Sequence, residues 1–395
     1  MIRANFPRTL IADDQPDVIE ALRLLLKDEG FQTEAASSPS GVLEALKQRN
    51  FDLLLMDLNY ARDTTSGREG LDLLSQVRAI DGTLPVVVMT AWANVDITLE
   101  ALRGGVVDFV LKPWENKELV ATLRRHVESG QQARQSRRLN VERTRELDDA
   151  RAIQERLIPQ SIAQTAGHSI AARWEPARTV GGDYYDVLSF DEDVVALCIA
   201  DVSGKGMPAA LLMSNFQAAV RAHASRTLEP ADLCVTLNEI VGINTDGSRF
   251  ITFFYGVLEA TTGKFTYANA GHNAPILVRA DGRVARLERG GLVLGPLADA
   301  AFEQGVTSIK PGDRVVMFTD GVTEARSPGG EEFGDERLIE LAVKFRELDA
   351  ARMKERVFES LMEYTGGSFD DDVTIVALSA EECAAAARLT SDQPF

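Results

Sequence analysis

Along the first 125 residues, short unbroken apolar runs alternate with stretches whose apolar positions recur every three or four residues. Thr9–Ala12, Leu53–Met56, Val86–Met89 and Phe109–Leu111 show the run without alternation, which is the pattern of strands buried on both faces. Between the first two runs, Val18, Ile19, Leu22, Leu25 and Leu26 share one helical face, and Gly30 stops that helix. Strands alternating with helices predict a doubly wound parallel α/β sheet.

From about Glu115 to Ile158 the pattern changes. The stretch has no proline and a single glycine, Gly130, and intersperses charges of both signs, including Arg124, Glu128, Arg137, Glu142 and Glu146. It reads as one long solvated helix, which at 1.5 Å per residue would span roughly 65 Å. Leu119, Leu123 and Val127, then Leu147, Ala150, Ile153 and Leu157, form a broken apolar seam. That seam suits either a parallel coiled-coil dimer or a monomeric spacer. After Pro159 the pattern turns β-rich, with strands predicted at Val194–Ala200, Phe250–Leu258, Lys264–Ala268, Ile276–Arg279, Arg314–Thr319 and Val373–Leu378. Thr262-Gly263, Asp281-Gly282 and Pro311-Gly312 are turn signals between them. Helices are predicted at Pro208–Ala224, Pro230–Ile240 and Ala350–Tyr364, making an α+β domain on antiparallel sheets. The expected organisation is multidomain: 1–125, a helical linker at 126–158, a second domain at 159–380 and a tail at 381–395.

Composition narrows the function. Of 395 residues, 42 are Lys or Arg and 60 are Asp or Glu, a formal charge of −18. Nucleic-acid and membrane-surface binding draw on clustered cations, so neither is expected. No apolar run approaches the roughly 18 residues that a membrane span needs. Cys198, Cys234 and Cys383 are far apart and form no metal or disulfide pattern, which points to a reduced, cytoplasmic setting. The four histidines are scattered, so any metal is expected on carboxylates.

In the first region the polar residues sit at strand ends. Asp13 and Asp14 follow the first run, Asp57 the second, Thr90 the third and Lys112 the fourth. The carboxyl ends of parallel strands open on one crevice. Carboxylates converging there repel unless a hard cation such as Mg²⁺ lies among them, and Asp57 is placed to take a phosphoryl group covalently. With these residues in this order, residues 7–125 resemble a response-regulator receiver domain. The resemblance implies a five-stranded flavodoxin-like fold, Mg²⁺ on Asp13, Asp14 and Asp57, and Asp57 as phosphoacceptor. It also implies Thr90 and Phe109 as switch residues, Lys112 as the phosphate-pairing cation, a cis Lys112–Pro113 bond, and a sensor histidine kinase or phosphotransfer protein as donor. The segment Leu58–Gly70 departs from the family: it is longer than the usual loop and has no early proline.

The second region carries Gly181-Gly-Asp-Tyr-Tyr-Asp186, Asp201-Val-Ser-Gly-Lys-Gly206, Phe318-Thr-Asp-Gly321 and Asp370-Asp-Asp-Val-Thr374. Each places an aspartate at a strand end or a glycine turn. Gathered at one sheet edge, such carboxylates can hold two divalent cations for attack on phosphorus, and an oxygen-only donor set favours Mn²⁺ or Mg²⁺. Lys205 has no Gly-x₄-Gly-Lys spacing and is not a P-loop lysine. Together with Ala152-Ile-Gln-Glu-Arg-Leu-Ile-Pro159 and Tyr267-Ala-Asn-Ala-Gly-His-Asn273, these motifs resemble the PPM/PP2C phosphatases of the bacterial SpoIIE/RsbU serine-phosphatase type, over about residues 150–380. The resemblance implies a PP2C-type β-sandwich flanked by helices. It implies Asp183 on one metal, Asp201 bridging both, the Val202 carbonyl completing a coordination sphere, and Asp320 and Asp371 on the other metal. Arg178 would contact the substrate phosphate. Ser203 stands two residues after Asp201, where the eukaryotic branch has histidine, so leaving-group protonation is expected from water. His272 is read as structural.

The combined expectation is a two-component response regulator, within a phosphorelay, that acts as a metal-dependent protein serine/threonine phosphatase. Phosphorylation of Asp57 would control it through a homodimer formed by the linker helix. Its expected substrate is a phosphorylated anti-sigma-factor antagonist of the STAS type, in a partner-switching circuit. The alternative is a non-enzymatic adaptor with a phosphatase-like domain that binds a sigma factor or its regulator; such adaptors have lost metal aspartates, whereas all four are present here.

Overall fold

The structure, a computed structural model, describes residues 6–60, 68–91 and 95–381. Cys383, the tail from residue 382 and residues 61–67 of the segment after Asp57 lie outside the described residues. The chain forms two compact units, Met1–Thr144 and Arg145–Phe395.

The first unit contains β1 (Arg8–Ala12), α1 (Pro16–Asp28), β2 (Gln32–Ala36), α2 (Pro39–Gln48), β3 (Leu53–Asp57), α3 (Arg68–Ile80), β4 (Val86–Thr90), α4 (Val95–Arg103) and β5 (Asp108–Leu111). A long helix, α5 (Asn116–Leu157), begins in this unit and ends in the second. The sheet is fully parallel in the order β2-β1-β3-β4-β5, which is the flavodoxin-like arrangement. Leu54 and Met56 pack on one side with Leu73, Leu74 and Val77 of α3. Leu53 and Leu55 pack on the other with Leu22 and Leu26 of α1 and Leu119, Leu123 and Val127 of α5. Helices on both faces explain why β3 and β4 read as apolar throughout. β2 is the strand that the hydrophobic pattern does not reveal. It is an edge strand of sequence Gln-Thr-Glu-Ala-Ala with only Ala36 buried, so its pairing is carried by the backbone.

The second unit contains β6 (His168–Glu175), β7 (Tyr184–Ser189), β8 (Val194–Val202), α6 (Met207–His223), α7 (Pro230–Asn244), β9 (Ile251–Glu259), β10 (Lys264–Ala270), β11 (Ile276–Val278), β12 (Val284–Arg286), β13 (Gly290–Gly291), β14 (Gly305–Ser308), β15 (Arg314–Phe318), α8 (Asp320–Thr323), α9 (Gly334–Lys344), α10 (Ala350–Thr365) and β16 (Val373–Ala380). One sheet runs β13-β10-β9-β8-β7 with β14 also on β10; the other runs β12-β11-β15-β16-β6. Pairing is antiparallel except between β10 and β13.

The period of two along a strand sorts its side chains between layers. In β8, Val195, Leu197 and Ile199 enter the core shared by the two sheets, with Val315, Met317, Val376 and Leu378 opposite. Ala196, Cys198 and Ala200 face the other way, against Met213 and Phe216 of α6 and Leu233 and Leu237 of α7. On the outer face of the second sheet, Val316, Phe318 and Ile375 pack with Leu338 of α9 and Met353, Val357 and Leu361 of α10. The result is a β-sandwich with a helical layer on each side. Among the described residues, no helix is long and apolar enough to cross a membrane.

Leu197 is fully buried between the sheets. Leu197→Ala is expected to destabilise the second unit by about 2–5 kcal/mol, measured as a lowered urea midpoint at unchanged slope. An unshifted midpoint would contradict the shared core.

Candidate functional site

In the first unit, strand register does the positioning. Ala12 pairs with Met56, so Asp13 and Asp57 emerge side by side. Thr90 pairs with Leu111, and the Lys112 N–H donates to the Thr90 carbonyl at 2.9 Å. The Lys112 ammonium then reaches back, donating to Asp13 Oδ2 at 2.7 Å and Asp57 Oδ2 at 2.6 Å. Burial pushes its pKa down, but the hydrogen bonds and charges of the two carboxylates outweigh that and hold it above the usual lysine value. Asp13, Asp57 and Thr90 are buried, and Asp14 is half-buried beside them. Phe109 is half-buried against the core under the sheet. The Lys112–Pro113 bond is cis. The long segment after Asp57 is pinched at its base, where the Gly70 N–H donates to the Leu58 carbonyl at 3.1 Å. A Cβ at Gly70 would lie 2.5 Å from that carbonyl oxygen, so only glycine fits.

In the second unit, four strand ends meet at one edge of the sandwich. Tyr184 pairs with Ala200, which sets Asp183 level with Asp201. Phe318 pairs with Ile375, so Thr319 and Thr374 are neighbours and Asp320 and Asp371 flank them. The two sheets are stapled at Asp183, whose Oδ2 accepts from the Thr319 hydroxyl at 2.8 Å and the Thr374 hydroxyl at 2.6 Å. Asp372 is a structural tie: its carboxylate accepts from the Gly182 N–H at 2.6 Å and the Ala177 N–H at 2.9 Å. Asp371 instead faces the Lys205 ammonium at 2.8 Å, and that ammonium also donates to the Asp370 carbonyl. Gly181, Gly182 and Gly321 are close-approach residues, whereas Gly204 and Gly206 hold left-handed backbone at φ 99° and 75°. A Cβ at Gly181 would lie 2.5 Å from Asp372 Oδ2, one at Gly182 3.0 Å from the Val202 carbonyl, and one at Gly321 2.0 Å from the Asp372 carbonyl.

The carboxylates feel one another. Burial raises the Asp183 pKa well above the usual carboxylate range, and repulsion from Asp201 and Asp372 adds to it. Burial and repulsion from Asp320, Asp371 and Asp372 push Asp201 up to about 7. Burial and repulsion from Asp371 and Glu324 push Asp320 up to about 6. Among the described residues, no three His, Cys, Asp or Glu side chains are drawn together tightly enough to grip one ion as they lie; Asp183, Asp371 and Asp372 are engaged by the partners named above. The donor set is all oxygen and carries uncompensated negative charge, which fits a hard divalent cation. Arg178 is exposed, near enough to Lys205 to lower that ammonium's pKa. Lys205 nonetheless titrates above its usual value, chiefly through its hydrogen bond to Asp371.

His272 is buried and accordingly depressed to about 4. Its Nδ1 meets the Thr252 hydroxyl at 2.8 Å, and its backbone N–H donates to Asn269 Oδ1 at 2.7 Å, so it ties the end of β10 to β9. Asp186, the last residue of the Gly-Gly-Asp motif, is consumed by the Tyr184 hydroxyl and the Arg221 guanidinium. Sequence reasoning missed Thr319, Thr374, Asp372 as a tie, and Lys205 as a partner of Asp371. It also missed Gln154, a buried amide hydrogen-bonded to Gly181. The last carried a signal: it interrupts the apolar stripe of Ala150, Leu157 and Ile158.

Fold and site together define a receiver domain followed by a PP2C-like phosphatase domain. A profile of the response regulator receiver domain matches residues 9–124, and one of stage II sporulation protein E (SpoIIE) matches residues 191–381. Phosphoserine phosphatase RsbU of Bacillus subtilis is 34% identical over 236 residues, covering 59% of this chain and 69% of that protein. Protein IcfG of Synechocystis is 31% identical over 263 residues, covering 59% of this chain but only 41% of that longer protein. The crystal structure of the RsbU and RsbW domains of Rv1364c from Mycobacterium tuberculosis aligns with a TM-score of 0.50 at 28% identity, over 57% of this chain and 63% of that one. The chain belongs to the SpoIIE/RsbU-type serine/threonine phosphatases of the PPM family, here carrying an N-terminal receiver domain.

The raised carboxyl pKa values have a thermodynamic consequence. The folded protein holds protons that an unfolded aspartate loses near pH 4, so stability falls as the pH rises from about 4 to about 7, through the folded value of Asp201. In chelator, Asp201→Asn is expected to raise the melting temperature at pH 8 more than at pH 5. An equal change at both pH values would contradict the assignment.

Proposed function

We propose that the chain is a phosphorylation-controlled protein phosphatase acting on phosphoserine or phosphothreonine. The observation that carries this reading is the convergence of Asp183, Asp201, Asp320 and Asp371 at one sandwich edge, with Asp201 and Asp320 pushed up to about 7 and 6. Asp183 would hold one divalent cation, Asp201 both, and Asp320 and Asp371 the other, with the Val202 carbonyl completing a coordination sphere. Mn²⁺ or Mg²⁺, when bound, supplies Lewis acidity toward water and the phosphoryl oxygens. The exposed Arg178 guanidinium, close enough to Lys205 to act on its charge, would bind the phosphoryl group bidentately. Ser203 stands where a histidine acid would be, its Oγ accepting from the Phe250 N–H at 2.8 Å; with no histidine there, the leaving serine would take its proton from water.

In the receiver, the Asp57 carboxylate accepts the phosphoryl group from a histidine kinase or phosphotransfer protein; Asp13, Asp14 and Asp57 would hold Mg²⁺, which when bound would offset the charge of the incoming phosphoryl oxygens. Lys112 pairs with the transferred group, and Thr90 and Phe109 report its presence. Leu139 and Ile153, exposed on α5 and separated by a whole number of heptads, suit a second copy of the same helix, and a homodimer through it carries the signal. The substrate is a cytoplasmic phosphorylated anti-sigma-factor antagonist of the STAS type. The name of RsbU as a phosphoserine phosphatase supports the reaction class.

Phosphate release from a phosphoserine STAS protein is expected to require Mn²⁺ or Mg²⁺. Asp320→Asn is expected to lower kcat roughly 100-fold or more, the scale of losing one electrostatic stabiliser of a transition state. An unchanged rate would overturn the site. Acetyl phosphate is expected to change the rate of the unsubstituted chain and not that of Asp57→Asn; a retained response in the variant would overturn the switch.

A further inference from the structure

The strand edge that carries Asp183 and Asp201 continues past them. Beyond the Val202–Ile251 pair, β8 and β9 stay joined: the Ser203 N–H donates to the Phe250 carbonyl at 3.0 Å, and the Phe250 N–H donates to Ser203 Oγ at 2.8 Å. On the far side of β9, Ile251 and Leu294 exchange backbone hydrogen bonds. With strands about 4.8 Å apart, the loop 292–297 lies roughly 10 Å from β8. α7 is tied to that loop, since Asn238 Oδ1 accepts from the Gly295 N–H and its Nδ2 donates to the Leu297 carbonyl, both at 2.8 Å. These segments bury what their own packing needs, as Val241, Ile251 and Leu294 are in the core. Ile243, Phe250, Leu292 and Leu297 are left exposed, Ile243 at 83%.

A cation beside this patch is not fully engaged. Arg249 precedes Phe250, and its Nη1 is buried without a hydrogen-bond partner among the described residues. It lies against the loop that follows Asp201, where a Cβ at Gly204 would meet that nitrogen at 3.6 Å. Asp246 feels the Arg249 charge but spends its Oδ1 on the Ser248 N–H at 3.1 Å and on the Ser248 hydroxyl. A buried guanidinium nitrogen without an acceptor costs free energy, which an incoming carboxylate offsets.

We propose that Arg249 and the exposed side chains of Ile243, Phe250, Leu292 and Leu297 form the docking surface for the phosphoprotein substrate. The occupant is a protein face with apolar side chains and a carboxylate close to its phosphoserine. The inference rests on the phosphatase reading of the carboxylate edge. Two observations choose this occupant. The surface is continuous with that edge through Ser203 and Phe250, so a protein whose phosphoserine sits at Asp201 covers it. The buried guanidinium nitrogen calls for an acceptor, on a chain whose charge of −18 otherwise repels acidic partners. Apolar patches with a polar rim mark interaction sites, and aromatic and arginine anchors carry much of the binding energy at such sites. A surface of this kind selects among phosphoproteins without touching the reacting atoms. It therefore sets KM and leaves kcat to the carboxylates.

The test is steady-state phosphate release by the full chain at saturating Mn²⁺ from two substrates. One is a phosphoserine STAS protein; the other is p-nitrophenyl phosphate, which has no protein face to dock. Arg249→Gln and Ile243→Gln are each expected to raise KM for the protein roughly tenfold, the scale of a binding hot spot, with kcat within about threefold of the unsubstituted chain. With p-nitrophenyl phosphate, kcat/KM is expected to stay within about twofold. A protein KM within about twofold of the unsubstituted chain in either folded variant would overturn the proposal. An equal loss on both substrates would also overturn it, because the residues would then support the cation edge rather than dock a partner. Ile243 is solvent-exposed near the end of α7, so its variant decides the matter if Arg249→Gln does not fold. Phosphate release from neither substrate by the unsubstituted chain would instead sink the phosphatase reading, and the docking surface with it.

Discussion

Repulsion between carboxylates gathered at strand ends is the constraint on which both halves of this protein are built. Two or three aspartates within a few ångströms of one another cost free energy unless each is paired, protonated or shared with a cation. The receiver meets this with an internal cation, since the Lys112 ammonium lies between Asp13 and Asp57. The phosphatase unit uses several smaller devices. Two threonine hydroxyls hold Asp183, backbone N–H groups hold Asp372, and Lys205 holds Asp371. Asp201 and Asp320 keep the deficit, as their raised pKa values record. A site with unspent negative charge and oxygen donors is prepared for hard cations, and phosphoryl chemistry follows from that preparation.

The fold supplies the convergence without long-range contrivance. Parallel strands in register bring Asp13, Asp57, Thr90 and Lys112 to one crevice. Antiparallel neighbours β7–β8 and β15–β16 bring a strand start and a strand end to the same edge in each of two sheets. The layers behind them are packed on both faces, which makes the edges rigid enough to hold like charges together. Close approach accounts for Gly181, Gly182 and Gly321, where a Cβ would run into the Asp372 carboxylate, the Val202 carbonyl or the Asp372 carbonyl, and left-handed backbone accounts for Gly204 and Gly206.

The strands that were legible in the sequence are those covered on both faces, such as β3, β8 and β16, because full burial leaves an unmistakable apolar run. β2 was hidden because it is a polar edge strand. β6 was hidden because most of its side chains are half-buried, β7 because its buried half, Tyr184-Tyr-Asp186, includes a carboxylate that breaks the apolar run, and α9 because its single buried stripe is short. The acidic residues were legible because each ends a run or precedes a glycine. Their partners were not. Thr319, Thr374 and Lys205 are ordinary residues whose importance comes from the neighbour that the fold gives them. Gln154 lies 27 residues from Gly181, on a helix whose overall pattern is solvated, and nothing local marks the residue it will meet. Asp371 and Asp372 are adjacent and chemically identical; only the direction of their side chains separates a tie to backbone from a group facing Lys205.

The central claim is that the carboxylates at the sandwich edge hold protons which divalent cations replace. The direct measurement is calorimetric titration of the full chain with Mn²⁺ at pH 6.5, in two buffers of different ionisation enthalpy, which yields the protons released per cation bound. With Asp201 near 7 and Asp320 near 6, net proton release is expected, reduced in Asp201→Asn. Cation binding at this site without any proton release, or no cation binding at all, would contradict the account.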